Sequence, residues 1–221
     1  MKTIALIPVF GRHEILKKVL KQYQIDVYCV CDGPDAVLCQ NFAPNIHVIV
    51  EKNDFPAKLQ RGLEKLKGVE FDNVLMMGSD DLIDSALIDK MERLTANYEA
   101  IGLINCYFYD LRTRFTSIWP GYPAKGHRDG EPVGAFRMYT RKALDSVNWQ
   151  LWDSKMGGMD KISWDAIERK NPTIKIDAIK EGHYPIDVKD DESQTHIGQF
   201  DYLDFPTIEQ EEQVEKIFLS L

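Results

Sequence analysis

Cysteine is scarce and unpatterned in this chain. The four present, Cys29, Cys31, Cys39 and Cys106, form no Cys-x-x-Cys pair and have no histidine pattern beside them, which argues against a structural zinc site and a dithiol redox centre. They read as reduced, half-buried thiols. Long apolar runs are missing too: the longest clean one, residues 4–10, is too short to span a bilayer, and no charged leader with an apolar stretch and small-residue cleavage site opens the sequence. The expectation is a cytoplasmic protein with no membrane partner. Positive charge is in deficit, with 27 Lys and Arg against 35 Asp and Glu and a formal net charge of -8. Non-specific affinity for nucleic acid comes mostly from Lys and Arg neutralising phosphates, so this balance argues against wholesale binding along a phosphate backbone. The basic cluster of Lys161, Arg169, Lys170, Lys175 and Lys180 reads as a solvated helix face. Neither an internal repeat nor a domain linker is evident.

What is present suits a globular α/β protein. At 221 residues and 44% apolar content the chain can bury a substantial core. Residues 3–9 are almost continuously apolar, as in a strand buried on both faces, and residues 14–21 follow with Ile15, Leu16, Val19 and Leu20 on one helical face. Residues 27–31 form the next strand, stopped by the turn-rich Asp32-Gly33-Pro34-Asp35, and residues 46–50 a third after an irregular connection. Residues 55–66 carry Leu59, Leu63 and Leu66 at helical spacing, and residues 74–77 are the fourth strand. A helix over residues 85–97 and a strand over residues 101–108 come next. This alternation predicts a mostly parallel sheet flanked by helices, with its ligand site beyond the carboxyl ends of the strands. Residues 112–132, rich in Gly, Pro, aromatics and charge, read as a binding loop. From Thr207 onward the chain reads as a helix with a Thr207–Gln210 capping box and an apolar stripe of Val214, Ile217, Phe218 and Leu221.

The most informative stretch is residues 74–81, Val-Leu-Met-Met-Gly-Ser-Asp-Asp. An apolar strand runs straight into two adjacent carboxylates, and placing both at the mouth of a buried strand costs desolvation energy unless a cation or hydrogen-bond donors offset it. A divalent metal is the economical explanation. Phe10-Gly11-Arg12, Asp32-Gly33 and Ser79-Asp80-Asp81 are all expected at the same sheet edge.

These motifs, in this order, resemble the GT-A fold glycosyltransferases of the family-2-like branch. The stretches that carry the likeness are Ile7-Pro8-Val9-Phe10-Gly11-Arg12, Cys31-Asp32-Gly33, residues 53–62, Gly78-Ser79-Asp80-Asp81 and residues 134–144, so it covers about residues 3–165. It implies a GT-A (Rossmann-like) mostly parallel sheet with a C-terminal acceptor-side extension: a single domain with a nucleotide-sugar half over residues 1–100, an acceptor half over 101–206 and a terminal helix over 207–221. It assigns Pro8, Phe10 and Arg12 to the base and ribose pocket and Asp32 to a hydrogen bond with the base, typically uracil. Lys58 and Arg61, three apart on one helix, are expected to face the pyrophosphate together, with Ser79 beside them. The family's Asp-x-Asp, laid on Gly78-Ser79-Asp80, is incomplete here, because Gly78 stands where its first carboxylate belongs. Asp80, Asp81 and His196 become the candidate ligands of Mn²⁺ or Mg²⁺, which commonly keep waters and borrow phosphate oxygens, and His183 competes with His196.

For the acceptor side the resemblance implies a carboxylate base, with Asp160 the first choice and Asp153 the second, while Trp149 and Trp152 offer faces for a sugar to stack on. The expected reaction moves a sugar from a nucleoside diphosphate sugar, most simply a UDP-sugar, to an acceptor hydroxyl, with inversion. The acceptor is a saccharide or, as in small virus-encoded transferases, a hydroxymethylated base in DNA; the acidic balance weighs against the second. Two alternatives stay open: a non-catalytic nucleotide- or sugar-binding module of the same fold, and a sugar-phosphate nucleotidyltransferase. The latter wants a glycine-rich turn after the first strand, where this chain has one glycine.

Overall fold

The computed structural model describes residues 1–52, 54–122, 128–152, 158–191, 193, 197–200 and 202–221. The amino-terminal apolar run forms β1 (Thr3–Pro8), and every one of its residues is buried. Its side chains alternate between two cores, Ala5 and Ile7 in one and Ile4 and Leu6 in the other, so β1 lies inside a sheet covered on both faces. Helix α1 (His13–Lys21) buries Ile15, Leu16, Val19 and Leu20 on the first core. Each such side chain contributes about 2 kcal/mol when fully buried, against a few tenths for an exposed pair such as Lys17–Glu14, so the apolar stripe decides how the helix lies.

Strand β2 (Asp26–Cys31), helix α2 (Gly33–Gln40) and strand β3 (Ile46–Val50) continue the pattern, with β1, β2 and β3 mutually parallel. Helix α3 (Phe55–Lys65) starts at Asp54, whose side chain accepts from the Ala57 amide at 3.2 Å, and packs Leu59 and Leu63 into the second core. Strand β4 (Asn73–Met76) returns parallel to β1 on its other side. After a two-residue strand β5 (Asp81–Leu82) come α4 (Ser85–Leu94), β6 (Ala100–Leu103), β7 (Cys106–Asp110) and β8 (Phe115–Trp119). The remainder is β9 (Arg137–Thr140), α5 (Arg141–Ser146), α6 (Met159–Glu168), β10 (Thr173–Ile176), β11 (Ile186–Lys189) and α7 (Ile208–Ser220).

Seven strands form the main sheet in the order β10-β6-β9-β4-β1-β2-β3, parallel except for β9, which runs antiparallel to both neighbours. A second sheet has the order β5-β11-β7-β8. The two sheets share one core, where Ala5 and Ile7 belong with Tyr107, Phe108 and Val188. The mostly parallel, helix-flanked sheet matches the expected fold class. No helix among the described residues is long and apolar enough to cross a membrane.

Three local expectations are corrected. Asp32-Gly33-Pro34 does not merely turn the chain: Asp32 occupies the N-cap position of α2 and Pro34 sits in its first turn, where its missing N–H costs nothing. The apolar run 101–108 is two strands in different sheets, broken at Ile104-Asn105, where Asn105 Nδ2 bonds Asp177 Oδ1 at 2.6 Å. The loop expected over residues 112–132 contains β8, which pairs with β7 as a hairpin. Asp81 begins β5, and Asp84 caps α4 by accepting from the Leu87 amide at 2.7 Å. The capping box of Thr207 and Gln210 is present as expected.

Candidate active site

A cavity of about 650 Å³ opens beyond the carboxyl ends of β1 and β4. The end of β1 sends Pro8, Phe10 and Arg12 to its wall, and the β4–β5 connection sends Ser79, Asp80 and Asp81. Asp160 and Ser163 reach it from α6, and Asp187 and Lys189 from β11. Gly78 makes the acidic turn possible. A Cβ on it would lie 2.6 Å from Asp81 Oδ2 and 2.7 Å from Asp80 Oδ1, so both carboxylates fold back over a position that only glycine leaves open.

Oxygens of Asp80, Asp81 and Asp187 lie within 4.8 Å of one another. At that separation each pair of like charges costs on the order of 3 kcal/mol for an effective dielectric near 20. Two internal cations offset part of this. Arg12 Nη2 pairs with Asp80 Oδ2, and Lys189 Nζ lies 2.6 Å from Asp187 Oδ2. Three acids thus face two bases, and among the described residues the Gly78 amide donates to Asp81 Oδ2. Burial, then the charges of Asp80 and Asp187, hold Asp81 well above the usual carboxylate range. Burial likewise pushes Asp187 up to about 6, with Lys189 opposing and Asp80 adding to the rise. Asp187 Oδ1 is buried without a hydrogen-bond partner among the described residues. An all-oxygen donor set of three converging carboxyl groups with an orphaned oxygen fits a hard divalent cation such as Mn²⁺ or Mg²⁺.

The far wall is built around two arginines. Arg137 is buried and donates from Nε to the Val133 carbonyl (2.6 Å), from Nη2 to that of Pro132 (2.7 Å), and from Nη1 to that of Asp160 (2.6 Å) and to Ser163 Oγ (3.0 Å). It ties the loop before β9 to the first turn of α6, where Asp160 lies. Arg128 holds the buried Glu131 through two hydrogen bonds of 2.8 and 2.6 Å, stacks 3.8 Å from the centre of the Tyr122 ring, and lies 3.6 Å from Asp160 Oδ2. A Cβ on Gly134 would meet Asp160 Oδ1 at 2.5 Å, so the carboxyl presses on this loop. Trp119, Tyr122 and Trp152 add aromatic surface to the cavity.

Of the residues singled out in the sequence, Pro8, Phe10, Arg12, Ser79, Asp80, Asp81, Trp152 and Asp160 line this one cavity. Lys58 and Arg61 do not face the same way. Lys58 is buried, with Nζ 3.1 Å from the Val9 carbonyl, 3.7 Å from Asp32 Oδ1 and 3.8 Å from the centre of the Phe10 ring; it braces the ends of β1 and β2. Arg61 is turned to solvent and pairs with Glu64 at 2.8 Å. Pro56, Lys58, Leu59, Gln60, Gly62 and Leu63 are buried, which puts Lys58 at the rim of the buried face, and a three-residue step of about 300° carries Arg61 past that rim. Asp32 and Arg61 are absent from the cavity lining. Trp149 lies in the second core and donates from Nε1 to Asp145 at 2.7 Å. His183 sits 3.3 Å from Asp84 at the start of α4, again outside the lining. Asp153 and His196 fall outside the described residues.

Asp187, Lys189, Arg128 and Arg137 escaped sequence reasoning. The alternation Ile186-Asp187-Val188-Lys189 does signal a strand with both charged residues on one face. Nothing local signals that Asp187 pairs with Asp81 across β11 and β5.

No protein-family model matches the sequence, and no curated protein matches it. Among solved structures, the chain is similar over its whole length to residues 1–349 of S. aureus TarS in complex with UDP-GlcNAc, with 11% identity and a TM-score of 0.56. A second structure of S. aureus TarS 1–349 matches over the whole of this chain at 13% identity and a TM-score of 0.50. The chain spans 66% and 65% of those two chains. CMP:2-keto-3-deoxy-manno-octonic acid synthetase complexed with CTP matches over 80% of this chain and 91% of its own, at 17% identity and a TM-score of 0.49. At these identities the TarS likeness is one of fold.

Proposed function

We propose that this chain, whose fold is that of the GT-A nucleotide-sugar transferases, is a metal-dependent glycosyltransferase that moves a sugar from a UDP-sugar to an acceptor hydroxyl with inversion. One observation carries the reading: the carboxylates of Asp80, Asp81 and Asp187 converge beyond the carboxyl edge of the sheet, in a cavity that also holds Asp160. The fold shared with TarS, whose structure contains UDP-GlcNAc, supports the donor class.

Asp80 and Asp187, with Asp81 behind them, are the residues that would hold Mn²⁺ or Mg²⁺. When bound, the ion offsets the charge gathering on the departing diphosphate. Pro8 and Phe10 provide an apolar edge and an aromatic face for the nucleoside, and Lys58 fixes the Phe10 ring from beneath. Asp160 takes the acceptor proton as the hydroxyl oxygen bonds to the anomeric carbon. The bond from that carbon to the diphosphate oxygen breaks, and its electron pair leaves with UDP. Displacement in one step from the opposite face inverts the anomeric centre. Trp119, Tyr122 and Trp152 suit the apolar face of a saccharide acceptor. The net charge of -8 disfavours DNA in that role.

Calorimetric titration with UDP, CDP, GDP and ADP, each with and without Mn²⁺, tests this. UDP should bind best, and only with the metal, and D80N should abolish the metal effect. Equal, metal-independent binding of every nucleotide overturns the reading. UDP binding with no UDP release from any UDP-sugar, in the presence of a panel of saccharides, would leave a binding module instead.

A further inference from the structure

The guanidinium of Arg12 lies at the wall of the cavity, in the acidic cluster. Arg12 adopts a left-handed backbone conformation at the N-cap position of α1 (φ 51°, ψ 49°) and makes no side-chain cap to that helix. L-residues rarely adopt this geometry, and its effect here is to send the side chain away from α1 and into the acidic cluster. There the two terminal nitrogens have separate partners. Nη2 pairs with Asp80, while Nη1 donates to Asp190 Oδ1 at 3.1 Å and to Ser193 Oγ at 3.0 Å. Ser193 in turn accepts from the Asp190 amide at 2.9 Å, so the Nη1 side is a small built anchor. The side chain is 9% exposed, and although burial works against its charge, Asp80 and then Asp190 hold the guanidinium above its ordinary value.

Resting on the metal-dependent reading above, we infer that Arg12 and the divalent cation compete for Asp80, and that Arg12 becomes a ligand of the donor's diphosphate once the cation has taken that carboxylate. The division of partners makes the exchange feasible. Loss of Asp80 frees only the Nη2 edge, because Nη1 remains anchored to Asp190 and Ser193, so the charge is never left buried alone. The freed edge borders the cavity, where a diphosphate supplies the anionic oxygens that guanidinium groups bind best. Metal alone must displace an internal cation and binds weakly. Metal with a diphosphate gives that cation a new partner, and the two bind cooperatively. Arg12 therefore serves the leaving group rather than the base or ribose.

The test uses the intact chain with Mn²⁺ and UDP as probes, free Mn²⁺ being followed by electron paramagnetic resonance and UDP by calorimetry. R12Q should bind Mn²⁺ alone more tightly than the wild type, on the order of 10-fold, within the usual range of coupling between sites. It should bind UDP at saturating Mn²⁺ more weakly by a similar factor. A merely structural arginine would not move the two affinities in opposite directions. R12K, which keeps the charge but cannot bridge Asp80 and the Asp190–Ser193 anchor together, should shift both the same way by less, and it covers the case in which R12Q fails to fold. If both variants bind Mn²⁺ no tighter than the wild type while Mn²⁺ still strengthens UDP binding, the competition is disproved and the metal-dependent reading stands. If no saturable Mn²⁺ binding is found in any of the three, with or without UDP, the metal-dependent reading itself fails.

Discussion

A carboxylate at position 187 faces Asp80 and Asp81, has one oxygen paired with Lys189 and leaves the other buried without a hydrogen-bond partner among the described residues. Such an oxygen is costly in the empty site and useful in the loaded one. D187N should therefore weaken Mn²⁺ binding by roughly 10-fold or more, the lower end of what even an outer partner of a metal site costs. The thermal midpoint of the metal-free variant should change little, because relief of like-charge repulsion is set against loss of the ion pair with the buried Lys189. Calorimetry and thermal scans read the two effects separately, and a lowered midpoint with unchanged metal affinity would mark Asp187 as structural. Asp160 is tested by D160N, for which kcat should fall by about 10² to 10⁴ as expected for loss of a general base, with UDP affinity unchanged. G134A approaches the same group indirectly. Its Cβ would meet Asp160 Oδ1 at 2.5 Å, so the carboxyl must move, and steady-state kinetics should show kcat falling with little change in the donor KM.

Among the elements, α6 and α7 show two ways of fixing a helix. The start of α6 is set from outside: Arg137 on β9 grips the Asp160 carbonyl and Ser163 while holding the carbonyls of Pro132 and Val133. R137K cannot satisfy all of these acceptors, and leaving buried carbonyls unpaired should cost about 3 kcal/mol in urea denaturation. Activity should suffer too, because Asp160 rides on the same turn. Helix α7 is set by its own sequence and one docking face. Its capping box is local, whereas Val214 and Phe218 pack into the first core, with the Phe218 ring 4.9 Å from Tyr109. T207A should cost about 1 kcal/mol and F218A about 3 kcal/mol, so denaturation curves should rank packing above capping. This helix was legible because a cap and an apolar stripe are written within a few residues. Helix α2 was not: Asp-Gly-Pro begins a turn and a helix with equal ease, and only the packing of Cys39 into the first core decides between them.

For the molecule as a whole, the shared core joins the seven-stranded and four-stranded sheets, and the acidic turn itself is the chain's passage from β4 to β5. The two sheets should therefore unfold together. Far-ultraviolet circular dichroism, which follows backbone structure, and near-ultraviolet signals from Trp119 in one sheet and Tyr139 in the other should give coincident denaturation curves; separate midpoints would show two independent units. The break at Ile104-Asn105 shows why this architecture was only half readable. Residues 101–108 are apolar but for Asn105, so hydrophobicity alone describes one strand, yet the chain leaves one sheet there and enters another.

The sequence by itself determined the parallel βα order, the buried centre of the sheet at β1, the acidic turn at its edge and the capped terminal helix. Each of these is encoded by periodicity, caps or turn residues within about ten positions. Only the tertiary structure decided which charges meet. Asp187 joins Asp81 through the pairing of β11 with β5, Arg12 reaches Asp80 and Asp190 together, and Lys58 and Arg61 part company. The physical reason is that a carboxylate's partners are chosen by strand register and helix rotation between segments distant in the chain, and no local pattern records either.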